Sequence, residues 1–396
     1  MNISKISKIS KINLYISVLL PISSLASVDK LEPSFDTNYN ISIERCDDST
    51  ALFDRDNVIN DDDTFTNDYY ASIKDGNNPS YLADGTADED SWNTEKKNIN
   101  GPSVIYWNDP NYETDANYIM FFSHHEGRSI RVATSAAPCG PWEIIKSPQK
   151  VNLTNNINYF NDGNNTELNN GIKDNIDEHI ASPDAHVKDN QLYLYVHGKS
   201  GDSSSGQKTL LLTGNSIDTL SVMEGTEDFS HPYLRYFEAN NNSYAVSKNN
   251  DGDWGLLFNN DDDELSANFT KKARIIEGMR HPAIYVDESE AEDKILLFYS
   301  LIGDNPEHIK FVEINTQGEN NPKNWLVSNE KTVLTPAFDW EGYGLNSGKS
   351  SGGVSYTDVE EVRDPAIFVD LNGDIYLYYT IRGEAGIAAA KLTITQ

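Results

Sequence analysis

The sequence has little cysteine and few basic residues. Only two of its 396 residues are cysteine, and 31 Lys and Arg face 62 Asp and Glu, which gives a formal net charge of −31. Such an acidic surface repels phosphate backbones and anionic lipid, which argues against nucleic acid and membrane surfaces as partners. Neither Cys46 nor Cys139 has metal-ligand spacing. In an oxidising compartment the two cysteines can pair, and the sequence leaves a disulfide and two buried thiols as alternatives.

Several catalytic signatures are also missing. The chain has no Gly-Lys-Ser phosphate loop, no dinucleotide fingerprint, no Gly-x-Ser-x-Gly elbow and no zinc signature. Nucleotide, hydride and esterase chemistry therefore lose support. Two acidic segments, Asp251-Gly-Asp253 and Asp370-Leu-Asn-Gly-Asp374, lack the spacing and the terminal glutamate of a calcium loop, and we interpret both as turns.

An apolar stretch lies near the start of the chain. Three lysines precede the run from Ile12 to Ile22, and Ser24-Leu25-Ala26 supplies the small residues of a cleavage site. Residues 1–27 are therefore predicted to be a secretory signal peptide, with an uncleaved anchor as the alternative, and the protein to be secreted or periplasmic. Residues 28–98 are rich in Asp, Asn, Ser and Thr, which predicts an irregular N-terminal extension packed on the main domain.

Residues 99–396 repeat one pattern five times, in which a proline opens a β-rich run and a second run follows. The opening prolines are Pro102, Pro183, Pro232, Pro282 and Pro365. Successive strands separated by turns, with almost no helical periodicity, are typical of an antiparallel all-β repeat. Units of this length must bury their faces on their neighbours. The pattern predicts an all-β, five-bladed β-propeller, and a β-sandwich is the structural alternative.

The prolines also predict where a site lies. Proline lacks an N–H and is tolerated as the first residue of a strand. Because the innermost strands of a propeller line its central channel, we expect the residues flanking the prolines to converge at one end. These flanking residues are Asn100, Gly101, Ala181, Ser182, Asp184, His186, Ser230, His231, Arg280, His281, Arg363 and Asp364.

Carboxylates, imidazoles and guanidiniums among these flanks indicate glycosidic cleavage, which needs two carboxyl groups around an oxocarbenium-like transition state. Asp184 and Asp364 are the predicted catalytic pair, and Glu341 or Glu384 is the candidate proton donor. Their structural alternatives are a turn-forming aspartate, an Arg–Asp pair at a strand start and glutamates in ordinary turns.

Basic and aromatic neighbours supply hydrogen bonds to sugar hydroxyls and tune the carboxyl pKa values. The predicted substrate-binding residues are His125, Arg128, His179, His186, His231, Arg235, Arg280, His281 and Arg363. The run that holds His125 and Arg128 has too few ligands for a metal, so hydrogen bonding is the interpretation. No cofactor is required, and a structural calcium ion at the hub is left open.

Five strings together resemble the five-bladed propeller glycoside hydrolases of families 43, 32, 68 and 117. They are Phe122-Ser-His-His-Glu-Gly-Arg-Ser-Ile-Arg131, His179-Ile-Ala-Ser-Pro-Asp184, Tyr299-Ser-Leu-Ile-Gly-Asp304, Trp340-Glu-Gly342 and Arg363-Asp-Pro-Ala-Ile-Phe368. In family 43 the catalytic acids begin the inner strands of the first three blades, and Asp184 matches the aspartate of the second.

The resemblance implies a glycoside hydrolase acting on a poly- or oligosaccharide. Where family 43 has an aspartate in the first blade, this chain has Asn100-Gly101-Pro102. A non-catalytic carbohydrate-binding propeller is therefore the alternative, and an extracellular interaction scaffold is a third. The oligomeric state is left open.

Overall fold

The computed structural model describes residues 30–55, 98–108, 117–125, 130–144, 176–200, 206–224, 229–250, 254–260, 265–266, 268–288, 293–345, 348–355 and 357–396. The predicted signal peptide lies outside these residues. Within them, no helix has the length and apolar character needed to cross a membrane.

The strands of the described residues form five separate sheets, so the predicted five-bladed β-propeller is confirmed. The N-terminal segment contributes Pro33–Phe35 (β1), Asn40–Arg45 (β2) and Phe53–Asp54 (β3). Blade one contains Asn100–Tyr106 (β4), Tyr118–Ser123 (β5), Ile130–Ser135 (β6) and Glu143–Ile144 (β7). Blade two contains Ile176–Lys188 (β8), Gln191–Ser200 (β9), Gln207–Gly214 (β10) and Ser221–Val222 (β11).

The remaining blades follow the same plan. Blade three contains Arg235–Ala239 (β12), Asn242–Lys248 (β13), Trp254–Asn260 (β14) and Phe269–Glu277 (β15). Blade four contains Met279–Asp287 (β16), Lys294–Leu301 (β17), Ile309–Asn315 (β18), Leu326–Ser328 (β19) and Lys331–Leu334 (β20). Blade five contains Arg363–Val369 (β21), Ile375–Ile381 (β22) and Gly386–Thr395 (β23). Short 3-10 helices lie at Ile217–Thr219, Pro322–Asn324 and Asp339–Glu341.

The first strands of the blades, β4, β8, β12, β16 and β21, line the central channel. Strand β4 packs between β8 and β21, and β16 packs between β12 and β21. Equivalent positions meet, since the backbone N–H of Ala185 donates to Ser103 Oγ at 2.9 Å and Arg235 Nε donates to the Pro282 carbonyl at 3.1 Å. The inner strands therefore run side by side in one direction. We call the end where they begin the upper end and the other the lower end.

Pairing between the first and second strands is interrupted at the prolines of four blades. The interruptions lie between Asn100 and Ser103, Ala181 and Asp184, Met279 and Pro282, and Arg363 and Ala366. Proline donates no hydrogen bond to a ladder, so the strand bulges there. Just before the proline, Ser182 and Asp364 have φ of 46° and 52°, a left-handed conformation that costs a non-glycine residue about 1–3 kcal/mol. The bulge separates residues before the proline from those after it.

Apolar side chains from adjacent blades form the core. Phe121 of blade one packs with Leu194 and Leu210 of blade two, and Phe298 of blade four packs with Leu377 of blade five. Each such fully buried side chain contributes about 1.5–3 kcal/mol. The core lies between the blades, which leaves the channel for polar residues.

The N-terminal segment completes two blades. Strand β2 pairs antiparallel with β23, from Asn40 opposite Thr395 to Arg45 opposite Ala390, and so forms the fourth strand of blade five. Strand β1 pairs with β19 of blade four, and β3 pairs with β23. A disulfide joins Cys46, just after β2, to Cys139, between β6 and β7 of blade one. Of the two alternatives for the cysteines, the structure has the bridge, and it crosses the seam between the first and last blades.

Candidate active site at the upper end of the channel

Polar side chains from four blades meet at the upper end of the channel. We call the following residues the upper cluster: His125, Tyr233, His281, Glu361, Arg363, Asp364 and Glu384. The three carboxylates and the arginine come from blade five, and the rings come from blades one, three and four. The predicted residues His125, His281, Arg363, Asp364 and Glu384 are therefore brought together.

Asp364 is the most buried of these carboxylates. It lies just before Pro365, with no exposed surface, and Oδ1 is in close ion-pair contact with Nδ1 of His281. Thr380 Oγ1 donates to its other oxygen at 3.3 Å. Burial disfavours the charged form, but His281 and Arg363 outweigh burial and hold the pKa of Asp364 below its ordinary value. Asp364 is thus a buried carboxylate that is ionised at neutral pH.

Glu384 lies between β22 and β23 and is bonded on both oxygens. His125 Nδ1 is 2.8 Å from Oε1, and Arg363 Nη2 is 3.3 Å from the same atom. Oε2 accepts hydrogen bonds from the Ser355 backbone at 3.1 Å and from Asn98 Nδ2. Burial opposes ionisation, yet His125 and Arg363 hold the pKa of Glu384 well below its ordinary value. Although burial lowers the pKa of His125, the Glu384 carboxylate raises it overall.

Glu361, two residues before β21, differs from both. Its carboxylate is 3.6 Å from Arg363 Nη1, too far for a hydrogen bond. Burial raises the pKa of Glu361 above its ordinary value, Arg363 opposes the rise, and the charges of Glu307 and Glu384 add to it. Arg363 thus lies between two carboxylates with opposite pKa shifts: the pKa of Glu361 is raised and that of Glu384 is lowered.

A row of aromatic rings faces the carboxylates. Ring centroids are 4.0 Å apart for Tyr233 and His281, 4.3 Å for His197 and Tyr233, and 5.8 Å for His179 and His197. Burial and the neighbouring His125 lower the pKa of His179 to about 4, so this ring is neutral at neutral pH. Nε2 of His281 and Nδ1 of His197 are buried and have no hydrogen-bond partner among the residues that the structure describes.

Asp184 and His186 lie elsewhere, so the expectation that all flanking residues converge at one end was wrong. Both follow Pro183, and the bulge there places them below the proline level. Asp184 Oδ2 is 2.9 Å from His186 Nε2 and accepts from the Tyr236 backbone at 2.9 Å. Burial opposes its ionisation, but His186 and Arg235 lower the pKa of Asp184. No contact joins Asp184 to a carboxylate of the upper cluster within the described residues.

The expectation that Glu341 lies near the hub was also wrong. Arg45 binds its two oxygens at 2.7 and 2.9 Å, and Tyr379 Oη donates at 2.7 Å. The Ala337 backbone N–H donates at 2.7 Å. Arg45 belongs to β2, the outermost strand of blade five, so Glu341 fastens the outer edge of that blade.

Three predicted binding residues serve other contacts. Arg280, at the upper end, binds Glu307 at 2.8 and 3.0 Å. Arg235 donates to the Pro183 carbonyl at 2.8 Å and to Pro282, and so ties neighbouring inner strands together. The prediction that His231 faces the channel was wrong, because its ring packs on Phe229 and Phe258 between blades two and three, at 5.6 and 5.4 Å. Arg128 lies outside the described residues.

Sequence reasoning missed Glu361, Tyr233, His197 and Asn98. Glu361 lies two residues before the Arg363-Asp364-Pro365 triplet and Tyr233 directly after Pro232, so proximity to the prolines was an available signal. Asn98 and His197 carry no local signal, since they enter the site through contacts with distant residues. Among the described residues, no group of three or more His, Cys, Asp or Glu is arranged to hold a metal ion.

No family model matches the sequence. An uncharacterized protein of Acanthamoeba polyphaga mimivirus is 24% identical over 319 residues, covering 74% of this chain and 83% of that protein. Among solved structures, an endo-arabinase from Bacteroides thetaiotaomicron aligns with 76% of this chain and 95% of its own, at 11% identity and a TM-score of 0.47. An alpha-L-arabinofuranosidase from Lactobacillus brevis aligns with 74% of this chain and 90% of its own, at 12% identity and a TM-score of 0.47.

Proposed function

We propose that this protein is a glycoside hydrolase that cleaves a glycosidic bond at the upper end of the channel. The observation that carries the proposal is the opposite pKa shift of two carboxyl groups that both interact with Arg363, up for Glu361, 3.6 Å from its guanidinium, and down for Asp364. Glycosidic cleavage needs one carboxylic acid and one carboxylate, and environments that push two pKa values apart identify the two roles.

Glu361 is the proposed general acid. Its raised pKa favours the protonated form that donates to the leaving oxygen, and Arg363 Nη1, 3.6 Å away, stabilises the carboxylate that remains. Asp364 is the proposed general base or nucleophile, because His281 and Arg363 keep it ionised despite complete burial. Glu384 accepts hydrogen bonds on both oxygens, so its role is to position His125 and Arg363 rather than to exchange protons.

The ring row supplies the contacts to sugar. His179 and Tyr233 are partly exposed, and their rings offer flat apolar faces together with hydrogen-bonding atoms. The net charge of −31 favours a neutral poly- or oligosaccharide over an acidic one. The disulfide supports a reaction outside the cytoplasm, since such bonds persist in oxidising compartments.

Incubation with a panel of neutral pentose and hexose polysaccharides, followed by chromatography of released sugars, tests the proposal. The wild type is expected to release product from at least one glycan, and Asp364→Asn to lower that rate by a factor of about 10² or more. A matched control is Asp370→Asn, in the turn after β21. Calorimetric binding of a glycan without any product would instead support a non-catalytic carbohydrate-binding propeller and reject hydrolysis.

A further inference from the structure

A second polar site lies at the lower end of the channel. A cavity of about 340 Å³ is enclosed by all five inner strands below the level of the prolines. We call it the lower cavity. Asp184, His186, Arg235, Tyr236, Phe368 and Leu371 are among the residues that line it. Its volume is at the small end of the range for ligand pockets, about 300–1,000 Å³, which fits a ligand of one or two rings.

Asp184 presents an unused acceptor in this cavity. Oδ2 is occupied by His186 and by the Tyr236 backbone. Oδ1 is 3.8 Å from Arg235 Nη1, beyond hydrogen-bonding distance, and no described residue donates a hydrogen bond to it. Because Oδ1 lines the cavity without a protein donor, a ligand hydroxyl placed there gains a charge-assisted hydrogen bond.

The charges of the lower cavity balance. Among the described residues that line it, Asp184 is the one carboxylate and Arg235 the one guanidinium, and they face each other at 3.8 Å. A balanced cavity gives no net attraction to a cation or an anion. The ligand it suits is therefore neutral and carries hydroxyl groups.

The rim of the lower cavity is apolar. Val187, Val369 and Leu371 line it and are 37%, 49% and 77% exposed. The His186 and Tyr236 rings lie 5.3 Å apart, nearly perpendicular, along one wall. Sugars combine hydroxyl groups with apolar C–H faces, and this combination of a carboxylate acceptor with ring and aliphatic surfaces matches them. We infer that the lower cavity binds a neutral mono- or disaccharide, separately from hydrolysis at the upper cluster.

Methyl-detected NMR titration with D-xylose, L-arabinose and D-galactose tests the inference. These probes contain no glycosidic bond, so the result is independent of whether the protein is a hydrolase. Signals of Ala366 and Ile284, which line the lower cavity, are expected to shift with at least one probe. Val354, whose neighbour Ser355 bonds Glu384 at the upper end, reports on the other site.

Two variants and one control complete the experiment. Asp184→Asn is expected to weaken binding about tenfold, the loss of one charge-assisted hydrogen bond. Leu371→Ala removes the most exposed rim side chain, cannot disturb the core, and is expected to weaken binding severalfold. Leu326→Ala, a 38% exposed leucine on the outer part of blade four, is the control and should change nothing.

Several outcomes would overturn the inference. One is the absence of shifts at Ala366 and Ile284 with all three sugars; another is shifts confined to Val354. Undiminished binding by Leu371→Ala and Asp184→Asn alike also rejects it. Binding of tetramethylammonium in place of the sugars would show that the cavity selects cations, which contradicts the charge balance.

Discussion

The carboxylate of Asp364, on blade five, forms a close ion-pair contact with the imidazole of His281, on blade four, and both side chains are almost completely buried. The contact joins the inner strands of two neighbouring blades at the level of their prolines. The same pair therefore holds the channel together and fixes the ionisation of the proposed catalytic base.

Removing His281 is expected to shift activity towards higher pH. Burial raises the pKa of Asp364, and His281 opposes this rise in the wild type. In His281→Phe that opposing effect is lost, so the pKa of Asp364 rises and a smaller fraction of it is ionised at low pH. The acidic limb of the kcat/KM profile should therefore move upward. Leaving a buried charge unpaired also lowers the free energy of unfolding by about 3–5 kcal/mol. His308→Asn, outside the channel, is the control, and an unmoved acidic limb in His281→Phe would contradict the assignment.

Glu361→Gln tests the general acid. The acid must be protonated, so wild-type activity should fall as pH rises through the raised pKa of Glu361. The variant should lack the basic limb of the pH profile. Its kcat on natural glycans should be lower by a factor of about 10² to 10⁴, the usual contribution of general acid catalysis. Aryl glycosides with acidic phenol leaving groups need no protonation and should suffer much less. Equal losses on both substrate types would argue for a structural role.

The Glu384–His125 pair predicts how stability depends on pH. The pKa of Glu384 is depressed in the folded state. The stability that Glu384 contributes is therefore fully present above its ordinary pKa of 4.5 and is lost as pH falls through the folded-state pKa. The pKa of His125 is raised in the folded state, so the stability that His125 contributes is fully present below its ordinary pKa of 6.5 and is lost as pH rises through the folded-state pKa. Stability from the pair is therefore greatest between these values. Urea unfolding of Glu384→Gln should show flatter limbs on both sides, while exposed Glu319→Gln should follow the wild type.

The Cys46–Cys139 bond is expected to stabilise the ring closure. Its partners are 93 residues apart, and the chain-entropy model assigns about 4–5 kcal/mol to a loop of that size. Cys46→Ser with Cys139→Ser should lower the free energy of unfolding by that amount, measured by denaturant titration. Adding a reductant to the double variant should have no further effect. A double variant as stable as the oxidised wild type would show that the seam holds without the bond.

Glu341→Gln separates the two glutamates that sequence alone left as candidates. The side chain binds Arg45 and Tyr379 at the outer edge of blade five, so the variant should lose about 3 kcal/mol of stability. Since the upper cluster lacks this residue, kcat on a cleaved glycan should be unchanged at a temperature where the variant is folded. A large fall in kcat at full folding would place Glu341 in the site after all.

The sequence determined the number of blades and the path of the inner strands. Alternating apolar residues specify strands locally, and proline marks their beginnings because it cannot donate to a ladder. Five such marks predicted five blades, and Arg363, Asp364 and His281 were recognised as candidates for the same reason.

Only the tertiary structure decided which candidates share a site. The bulges leave Asp364, just before Pro365, at the upper end and place Asp184, just after Pro183, in the lower cavity, and this division is invisible in spacing. In blade three, where the pairing has no such bulge, Tyr233 stays at the upper end although it follows Pro232. Glu341 does not belong to the upper cluster because it binds Arg45, 296 positions away in the sequence. Arg45 reaches it only because the N-terminal segment forms the fourth strand of blade five. The disulfide depends on the same pairing, which places Cys46 beside Cys139 of blade one. Such partners are set by ring closure, a property of the whole chain, and no local pattern encodes them.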